Sequence, residues 1–174
     1  MTPPSQLYSF SRIYIQRKRQ QALLYFHEAY QAQLARQYGV AVEKYRRSIE
    51  VYPTAEAHTF LGWAYSFQGE LESAIEECRQ AIVLDPDFGN PYNDIGAYLI
   101  AKGQYDEAIP YLEQALESKR YRAYHFAHFN LGRAREHQGD VLSAFRHYKK
   151  AVEVEPDYAV AYEAIEHLKK TSLN

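Results

Sequence analysis

Two stretches of the sequence repeat one another: AHTFLGWAYSFQGELESAIEECRQAIVLDP at residues 57–86 and NPYNDIGAYLIAKGQYDEAIPYLEQALESK at residues 90–119. Weaker copies lie on either side, and small residues hold a common register through all four. One series recurs at intervals of 33, 34 and 36 residues: Ala41, Ala74, Ala108 and Ala144. A second series, seven residues later, keeps these intervals: Ser48, Ala81, Ala115 and Ala151. A period of this length predicts an array of similar supersecondary units.

Glycines and prolines predict the form of each unit. One series of glycines lies inside otherwise helical segments, where glycine is about 1 kcal/mol worse than alanine and so indicates a close helix crossing. Its members are Gly62, Gly96 and Gly132. Another series follows the apolar runs, where a left-handed residue would end a helix; it comprises Gly69, Gly103 and Gly139. Prolines that cannot continue a second helix follow at Pro53, Pro86 and Pro156.

A two-helix unit of about 34 residues with this spacing resembles the tetratricopeptide repeat. The resemblance covers roughly Ala22 to Tyr158, and its departures are Ala29 and Arg36 in two glycine positions of the first copy. It implies an all-α fold, a right-handed α-solenoid of antiparallel helix pairs, with four repeats and a C-terminal capping helix. The expected parts are an extension with a basic cluster (1–20), four repeats (21–54, 55–88, 89–122 and 123–158) and the cap (159–174).

Composition excludes several classes of protein. The net charge of −2 gives no overall basic field for nucleic acid or anionic lipid. The single cysteine, Cys78, cannot form an intramolecular disulfide, and we expect it to be a buried spacer. No apolar run reaches the ~18 residues that span a bilayer, and the first 20 residues lack the apolar core of a secretory signal. We therefore expect a cytoplasmic protein that does not enter the membrane.

Aromatic residues fall into two predicted groups. The first is expected to pack helix on helix: Tyr25, Tyr38, Tyr45, Tyr65, Tyr92, Tyr105 and Tyr148. The second lies on the first helix of each unit, whose free face lines the inside of the superhelix in the family that the chain resembles. Its members are Phe26, Tyr30, Phe60, Trp63 and Phe67, and Phe129 occupies a comparable position in the fourth copy. They predict either an aromatic groove or further packing surface.

Polar residues follow at the same positions in the later copies: Asn90, Asn93, Asp94, Asn130 and Arg133. These side chains could bond the backbone of a bound segment, and Arg133 could pair with an acidic group. The sequence therefore predicts a peptide-binding adapter whose partner is a protein or peptide. Repeat proteins that clamp the C-terminal carboxylate of heat-shock chaperones resemble this chain in fold, but the positive clamp is missing here. The matching positions of copies one to three hold Phe26, Tyr30, Phe60, Asn90 and Asp94. A secretion-type chaperone for apolar segments is an alternative.

A structural role for the N-terminal extension is another alternative. Its apolar residues precede a basic cluster and could occupy the groove of their own chain or of a partner, giving autoinhibition or a homodimer. They are Leu7, Phe10, Ile13, Tyr14 and Ile15, and the cluster is Arg12, Arg17, Lys18 and Arg19. The competing interpretation is an ordinary capping helix with a solvated basic face.

Catalytic and metal sites are not predicted. The histidines, which are His125, His128, His137 and His147, have no acidic or thiol partner in metal-binding spacing. Glu76 and Glu77 are adjacent on one helix and point in different directions, which disfavours general acid–base chemistry. The sequence contains no phosphate loop and no nucleophile elbow. We expect no enzyme activity and no cofactor. The segment KRYRAYHFAHF at residues 119–129 mixes cations and rings, but a solvated turn is favoured there over RNA binding.

Overall fold

The computed structural model describes the backbone of residues 4–172 and the side chains of residues 12–171. All regular structure within that part of the chain is α-helical. The helices are α1 (Pro4–Leu34), α2 (Tyr38–Val51), α3 (Ala55–Phe67), α4 (Leu71–Leu84), α5 (Asn90–Ala101), α6 (Tyr105–Glu117), α7 (Tyr124–His137), α8 (Val141–Val154) and α9 (Ala159–Ser172). The chain divides into two compact units, Met1–Leu84 and Asp85–Asn174. Helices α1 to α4 belong to the first unit and α5 to α9 to the second.

Each helix packs on its neighbour in sequence within its unit. Contacts join α1 with α2, α2 with α3, and α3 with α4 in the first unit. The second unit repeats this order from α5 to α9, and α5 also contacts α7. Contacts between α1 and α3, like those between α5 and α7, place the first helices of successive pairs side by side. Such a stack has no single central core, since each pair buries its apolar faces on the next.

The predicted helix crossings are confirmed. A Cβ added at Gly62 would lie 2.8 Å from the carbonyl oxygen of Ala74 and 3.2 Å from Sγ of Cys78. At Gly96 and Gly132 the added atom would lie 2.5 Å from the side chains of Leu112 and Tyr148. A Cβ at these positions would force its neighbours to move, so the glycines let α3, α5 and α7 approach the second helices of their pairs.

The tight turns within the helix pairs take the predicted left-handed conformation. Gly69, Gly103 and Gly139 have φ angles of 81°, 76° and 78°. Arg36 stands in the same position of the first pair and has a φ angle of 58°. The backbone geometry of the turn is therefore retained where the glycine is missing, although left-handed φ costs a residue with a Cβ about 1–2 kcal/mol.

Replacing Arg36 with glycine is expected to stabilise the protein by about 1 kcal/mol, because glycine adopts this conformation without steric cost. Chemical denaturation would measure the gain. The matched control is Arg36→Ala, which removes the same side chain but keeps the Cβ. Equal stability of the two variants would contradict the assignment of the cost to the backbone.

The predicted tyrosine core is confirmed for three of its seven members. Tyr45, Tyr65 and Tyr148 are buried. The other four, Tyr25, Tyr38, Tyr92 and Tyr105, are only partly covered. Tyr38 and Tyr105 begin second helices, and each stacks on a ring at the end of a following first helix, Tyr38 on Phe67 and Tyr105 on His137. These two therefore join neighbouring pairs at their edge and do not enter the interior.

The N-terminal extension and the first repeat share one helix, since α1 runs without a break through the expected boundary at residue 20. Ile13, Tyr14 and Ile15 are exposed on it, so this part of the extension does not cover the aromatic residues of the first unit. The side chains of Leu7 and Phe10 lie outside the described residues. Cys78 is buried, as expected, against Gly62.

The basic joint at residues 118–123 keeps its cations exposed, as expected of a solvated turn, and also makes ionic contacts. Lys119 pairs with Asp87 at 3.2 Å, and Arg120 pairs with Asp85 while its backbone nitrogen donates to the carbonyl oxygen of Asp87. The buried ring of Tyr121 meets Gly89, where an added Cβ would lie 2.4 Å from that of the tyrosine. Two of the three cations that suggested RNA binding thus pair with acids, and the third, Arg122, donates to backbone carbonyl oxygens.

None of the described helices is long and apolar enough to cross a membrane.

Candidate functional site

Five aromatic side chains of the first unit form a continuous row, here called the aromatic row: Phe26, Tyr30, Phe60, Trp63 and Phe67. The ring centroids of Phe26 and Tyr30 lie 5.2 Å and 5.7 Å from that of Phe60. Along α3 the row continues from Phe60 to Trp63 at 5.7 Å and from Trp63 to Phe67 at 5.6 Å. The structure therefore brings together all the aromatic candidates that the sequence predicts in this unit.

The rings of the aromatic row are held by packing against other aromatic residues, but part of the row is exposed to solvent. Phe26 packs edge-on against the buried Tyr45, with the centroids 5.4 Å apart, and Tyr38 stacks on Phe67 at 4.8 Å. Trp63 remains 39% exposed and Phe67 49% exposed. Large rings held in place by their neighbours lose little conformational freedom when a partner covers them, which is a property of interface anchors.

A concave pocket, here called the corner pocket, lies where α1 meets the junction of α2 and α3. Its volume is ≈ 620 Å³, within the range of about 300–1,000 Å³ that is general for ligand pockets. The lining residues are Arg19, Ala22, Leu23, Phe26, Ser48, Tyr52, Thr54, Glu56 and Phe60. Phe26 and Phe60 belong also to the aromatic row, so the pocket is continuous with it. Ala22 and Ser48 are buried, whereas Leu23 is exposed at the edge.

Local hydrogen bonds give the corner pocket its shape. The hydroxyl of Ser48 donates to the carbonyl oxygen of Ala22 at 2.8 Å and holds α2 against α1. Thr54 caps α3 by accepting a hydrogen bond from the backbone nitrogen of Ala57 at 3.1 Å. Arg19 donates to the hydroxyl of Tyr52 at 2.8 Å, and its guanidinium lies 5.0 Å from the centre of that ring. A cation is therefore held at the edge of an apolar pocket.

Four polar side chains of the second unit form a hydrogen-bonded chain, here called the polar series. Arg133 donates to Oδ1 of Asn130 at 3.3 Å, and Nδ2 of Asn130 donates to Oδ1 of Asn93 at 3.2 Å. Nδ2 of Asn93 then donates to Oδ1 of Asp94 at 3.2 Å. The donors all point the same way, from the guanidinium towards the carboxylate.

Burial divides the polar series into an interior and two ends. Asn93 and Asn130 are buried, while Asp94 and Arg133 are partly exposed. Although its surface is not fully covered, protein atoms surround the carboxyl group of Asp94 densely enough for desolvation to raise its pKa to about 7. The hydrogen bond from Asn93 opposes this change. The series therefore offers a cation at one end and a carboxyl that titrates near neutrality at the other.

Two other candidates lie outside the polar series. Asn90 is the first residue of α5 and does not join the hydrogen-bonded chain. Phe129 is partly buried between Tyr148 and Tyr158, at centroid distances of 5.5 Å and 5.4 Å. Phe129 therefore packs against the core of the second unit, and the aromatic surface there is smaller than in the first unit.

The four candidate histidines do not form one cluster. His128 and His147 face one another, with their Nδ1 atoms 3.3 Å apart, and burial lowers the pKa of His128 to about 4. His125 contacts the ring of Tyr158, and His137 stacks on Tyr105. Among the described residues no group of three or more histidine, cysteine, aspartate or glutamate side chains is placed to hold a metal ion.

Sequence reasoning did not identify Arg19, Tyr52 and Leu23 as parts of a site. They surround the corner pocket only because α1 extends beyond the first repeat and reaches the junction of α2 and α3. The signal available in the sequence was the absence of any helix-ending residue between the extension and the first copy.

Two parts of the chain match models of a known protein family. Residues 55–88 and residues 87–155 each match a family model described as tetratricopeptide repeat, and together the matches span more than half of the 174 residues. The small glutamine-rich tetratricopeptide repeat-containing protein 2 of Mycosarcoma maydis is 34% identical over 91 residues. That match covers 52% of this chain and 26% of the relative, so the chain spans about a quarter of the relative's length.

Solved structures share the fold at low sequence identity. The pilF protein of Pseudomonas aeruginosa superposes with a TM-score of 0.82 and 21% identity, covering 88% of this chain and 70% of pilF. The first tetratricopeptide domain of Spaghetti (RPAP3), bound to the HSP90 peptide SRMEEVD, has a TM-score of 0.64 and 19% identity. That match covers 69% of this chain and 94% of the domain. These likenesses show an all-α solenoid of tetratricopeptide helix pairs.

Proposed function

The chain belongs to the tetratricopeptide repeat family, and on that premise we propose that it is a protein-binding scaffold that holds a peptide segment of a partner on the aromatic row. The observation that carries the proposal is the unbroken series of ring contacts from Phe26 to Phe67, which leaves Trp63 and Phe67 open to solvent. Partner side chains that cover these rings would bury apolar surface at about 25 cal/mol per Å².

The polar series supports the same function in the second unit. Its buried asparagines hold Asp94 and Arg133 in fixed places, and these two partly exposed groups can meet a bound chain. Arg133 has further N–H donors for a carboxylate, and Asp94 can accept from a backbone amide. Asn90, at the start of α5, would add a further donor and acceptor.

The proposed ligand differs from that of the RPAP3 domain, which is bound to the HSP90 peptide SRMEEVD. The positions that carry cations in chaperone-clamping repeats hold Phe26, Asn90 and Asp94 in this chain. An aromatic surface favours a segment with bulky apolar side chains over a terminal carboxylate. We therefore propose an internal segment as the ligand.

Truncating Trp63 to alanine is expected to weaken binding by about 2 kcal/mol, or roughly thirtyfold in Kd, because it removes the central exposed ring of the row. Affinity capture with the full chain, followed by titration of the captured partner, would measure the loss. The control is Tyr162→Ala, which removes a ring on α9 with similar exposure, 46% against 39% for Trp63. A folded Trp63→Ala protein with wild-type affinity would contradict the proposal.

Self-association through the N-terminal half of α1 is the second candidate function. It is favoured by the exposed apolar side chains of Ile13, Tyr14 and Ile15, which no other described element covers. In that case the chain would be a structural protein whose copies meet along α1. Sedimentation of the full chain over a range of concentrations separates the candidates, since an adapter with a foreign ligand remains a monomer.

A further inference from the structure

The corner pocket has the composition of a site for an apolar group. Rings, an aliphatic side chain and an alanine form most of its lining, while Arg19 and Glu56 supply charged groups. Its volume of ≈ 620 Å³ exceeds that of any single side chain and falls within the range of ligand pockets. Because Phe26 and Phe60 line the pocket and also form part of the aromatic row, a segment lying on the row would pass its opening.

The charge distribution along α1 indicates which kind of partner segment the corner pocket would bind. Residues 1–27 contain Arg12, Arg17, Lys18 and Arg19 and no aspartate or glutamate, so the first acidic residue of the chain is Glu28. The side chains of all four cations are exposed, and Arg19 is fixed at the pocket by Tyr52. A concentrated positive charge attracts acidic partners and accelerates their association.

We propose that the corner pocket receives one bulky apolar side chain of an acidic partner segment, and that Arg19 pairs with a carboxylate next to that side chain. The inference rests on the proposed function and adds a specific anchor to it. Leu23, Phe26 and Phe60 would enclose the apolar group, and the guanidinium of Arg19, already oriented by Tyr52, would meet the acid.

A second copy that inserts its own α1 fits the pocket less well than an acidic partner does. The exposed apolar residues near the start of that helix, Ile13 to Ile15, are flanked by Arg12 on one side and Arg17 on the other. Docking them beside Arg19 would bring like charges together, which opposes association. Charge therefore disfavours self-association of α1 at the pocket.

Two neighbouring leucines allow a matched test. Leu23 lines the corner pocket, whereas Leu24 does not, and their exposed fractions are close at 53% and 58%. Leu23→Glu and Leu24→Glu change the net charge equally on adjacent residues of α1, so only the position of the new carboxylate differs. Circular dichroism would verify that both full-length variants fold.

The probe is a phage-displayed library of random twelve-residue peptides, selected on the wild-type chain. We expect enriched sequences in which a leucine, phenylalanine or tryptophan stands beside aspartate or glutamate. Fluorescence anisotropy with the most enriched peptide should show at least tenfold weaker binding to Leu23→Glu and little change for Leu24→Glu. Arg19→Gln should weaken binding several-fold and reduce its dependence on salt.

Four results would overturn the inference: a selection without any enriched peptide, enriched peptides without the apolar–acidic pair, equal binding by the two glutamate variants, or a dimer in sedimentation that only Leu23→Glu dissociates. The last would assign the pocket to a second copy. The Trp63→Ala variant separates this inference from the proposed function. A peptide weakened by Trp63→Ala but not by Leu23→Glu leaves the aromatic row as the site and rejects the pocket, and a selection without any enriched peptide rejects both.

Discussion

Replacing Leu112 with alanine is expected to lower the free energy of unfolding by about 3 kcal/mol, the middle of the range for buried leucines. Leu112 is fully buried on α6, and its side chain fills the space above Gly96 of α5. The substitution leaves a cavity where α6 packs on Gly96 of α5. Urea denaturation would measure the loss, and Leu142→Ala, at an exposed position of α8, should stay within about 0.5 kcal/mol of wild type.

A double-mutant cycle tests the physical reason. Gly96→Ala alone should destabilise by about 1–2 kcal/mol, because its Cβ would lie 2.5 Å from Cδ2 of Leu112. With Leu112→Ala present, the three atoms nearest to the added methyl group are gone, and alanine improves the helix propensity by about 1 kcal/mol. Gly96→Ala should then stabilise the protein. Effects that simply add would show that the glycine does not serve the contact with Leu112.

The fold could be predicted from the sequence because each helix pair is specified locally. A glycine that closes a turn, an alanine that lets helices approach and a proline that ends a helix all lie within one repeat, so their spacing carries the information. Even Arg36 follows the rule, since its backbone takes the left-handed conformation of the glycines at the same position. The aromatic row could be predicted for the same reason, as its members recur at fixed helical positions.

Features that join different parts of the chain could not be predicted in this way. The joint at residues 118–123 depends on Tyr121 meeting Gly89 and on ion pairs with Asp85 and Asp87, more than 30 residues earlier. The sequence indicates the exposed cations of this turn but not the ion pairs of Lys119 and Arg120, because the acidic partners are remote in sequence. The corner pocket likewise depends on how far α1 continues beyond the repeat. Repeat periodicity carries no information about either feature.

The burial and hydrogen bonding of the polar series could not be predicted from the sequence either. The sequence indicates that asparagines occupy the later copies, but it does not indicate that Asn93 and Asn130 are buried and bonded to one another. That arrangement restricts contact with a partner to the two ends of the series. It also means that the ionisation of Asp94 affects a network that spans α5 and α7.

Replacing Asp94 with asparagine is expected to stabilise the protein by about 3 kcal/mol at pH 8 and by almost nothing at pH 3. Burial raises the pKa of the wild-type carboxyl from 3.8 to about 7. Each pKa unit between the folded and unfolded states corresponds to about 1.4 kcal/mol of stability. The expected effect is smaller than the full sum because Asp94 is partly exposed. Below pH 4 the group is protonated in both folded and unfolded chains, so no cost arises.

Between pH 4 and pH 7 the folded wild-type protein binds a proton that the unfolded chain has released, so wild-type stability falls as the pH rises. Above pH 7 both states are ionised, and the full cost of holding a charge in a desolvated place remains. Asparagine is neutral throughout and can still accept the hydrogen bond from Asn93. Urea denaturation of the two proteins at several pH values should therefore give a difference that grows between pH 4 and pH 7 and is then constant.

Asp140→Asn is the matched control, because its stability relative to wild type should change with pH in the opposite direction. Asp140 caps α8 by accepting from the backbone nitrogen of Ser143, and that hydrogen bond lowers the pKa of its carboxyl. A lowered pKa stabilises the folded protein above the unfolded value of 3.8, and this contribution is lost as the pH falls. The stability of Asp140→Asn relative to wild type should therefore decrease, not increase, from acid to neutral pH. If Asp94→Asn followed wild type at every pH, the carboxyl of Asp94 would have an ordinary pKa, and binding at the polar series would not depend on pH near neutrality.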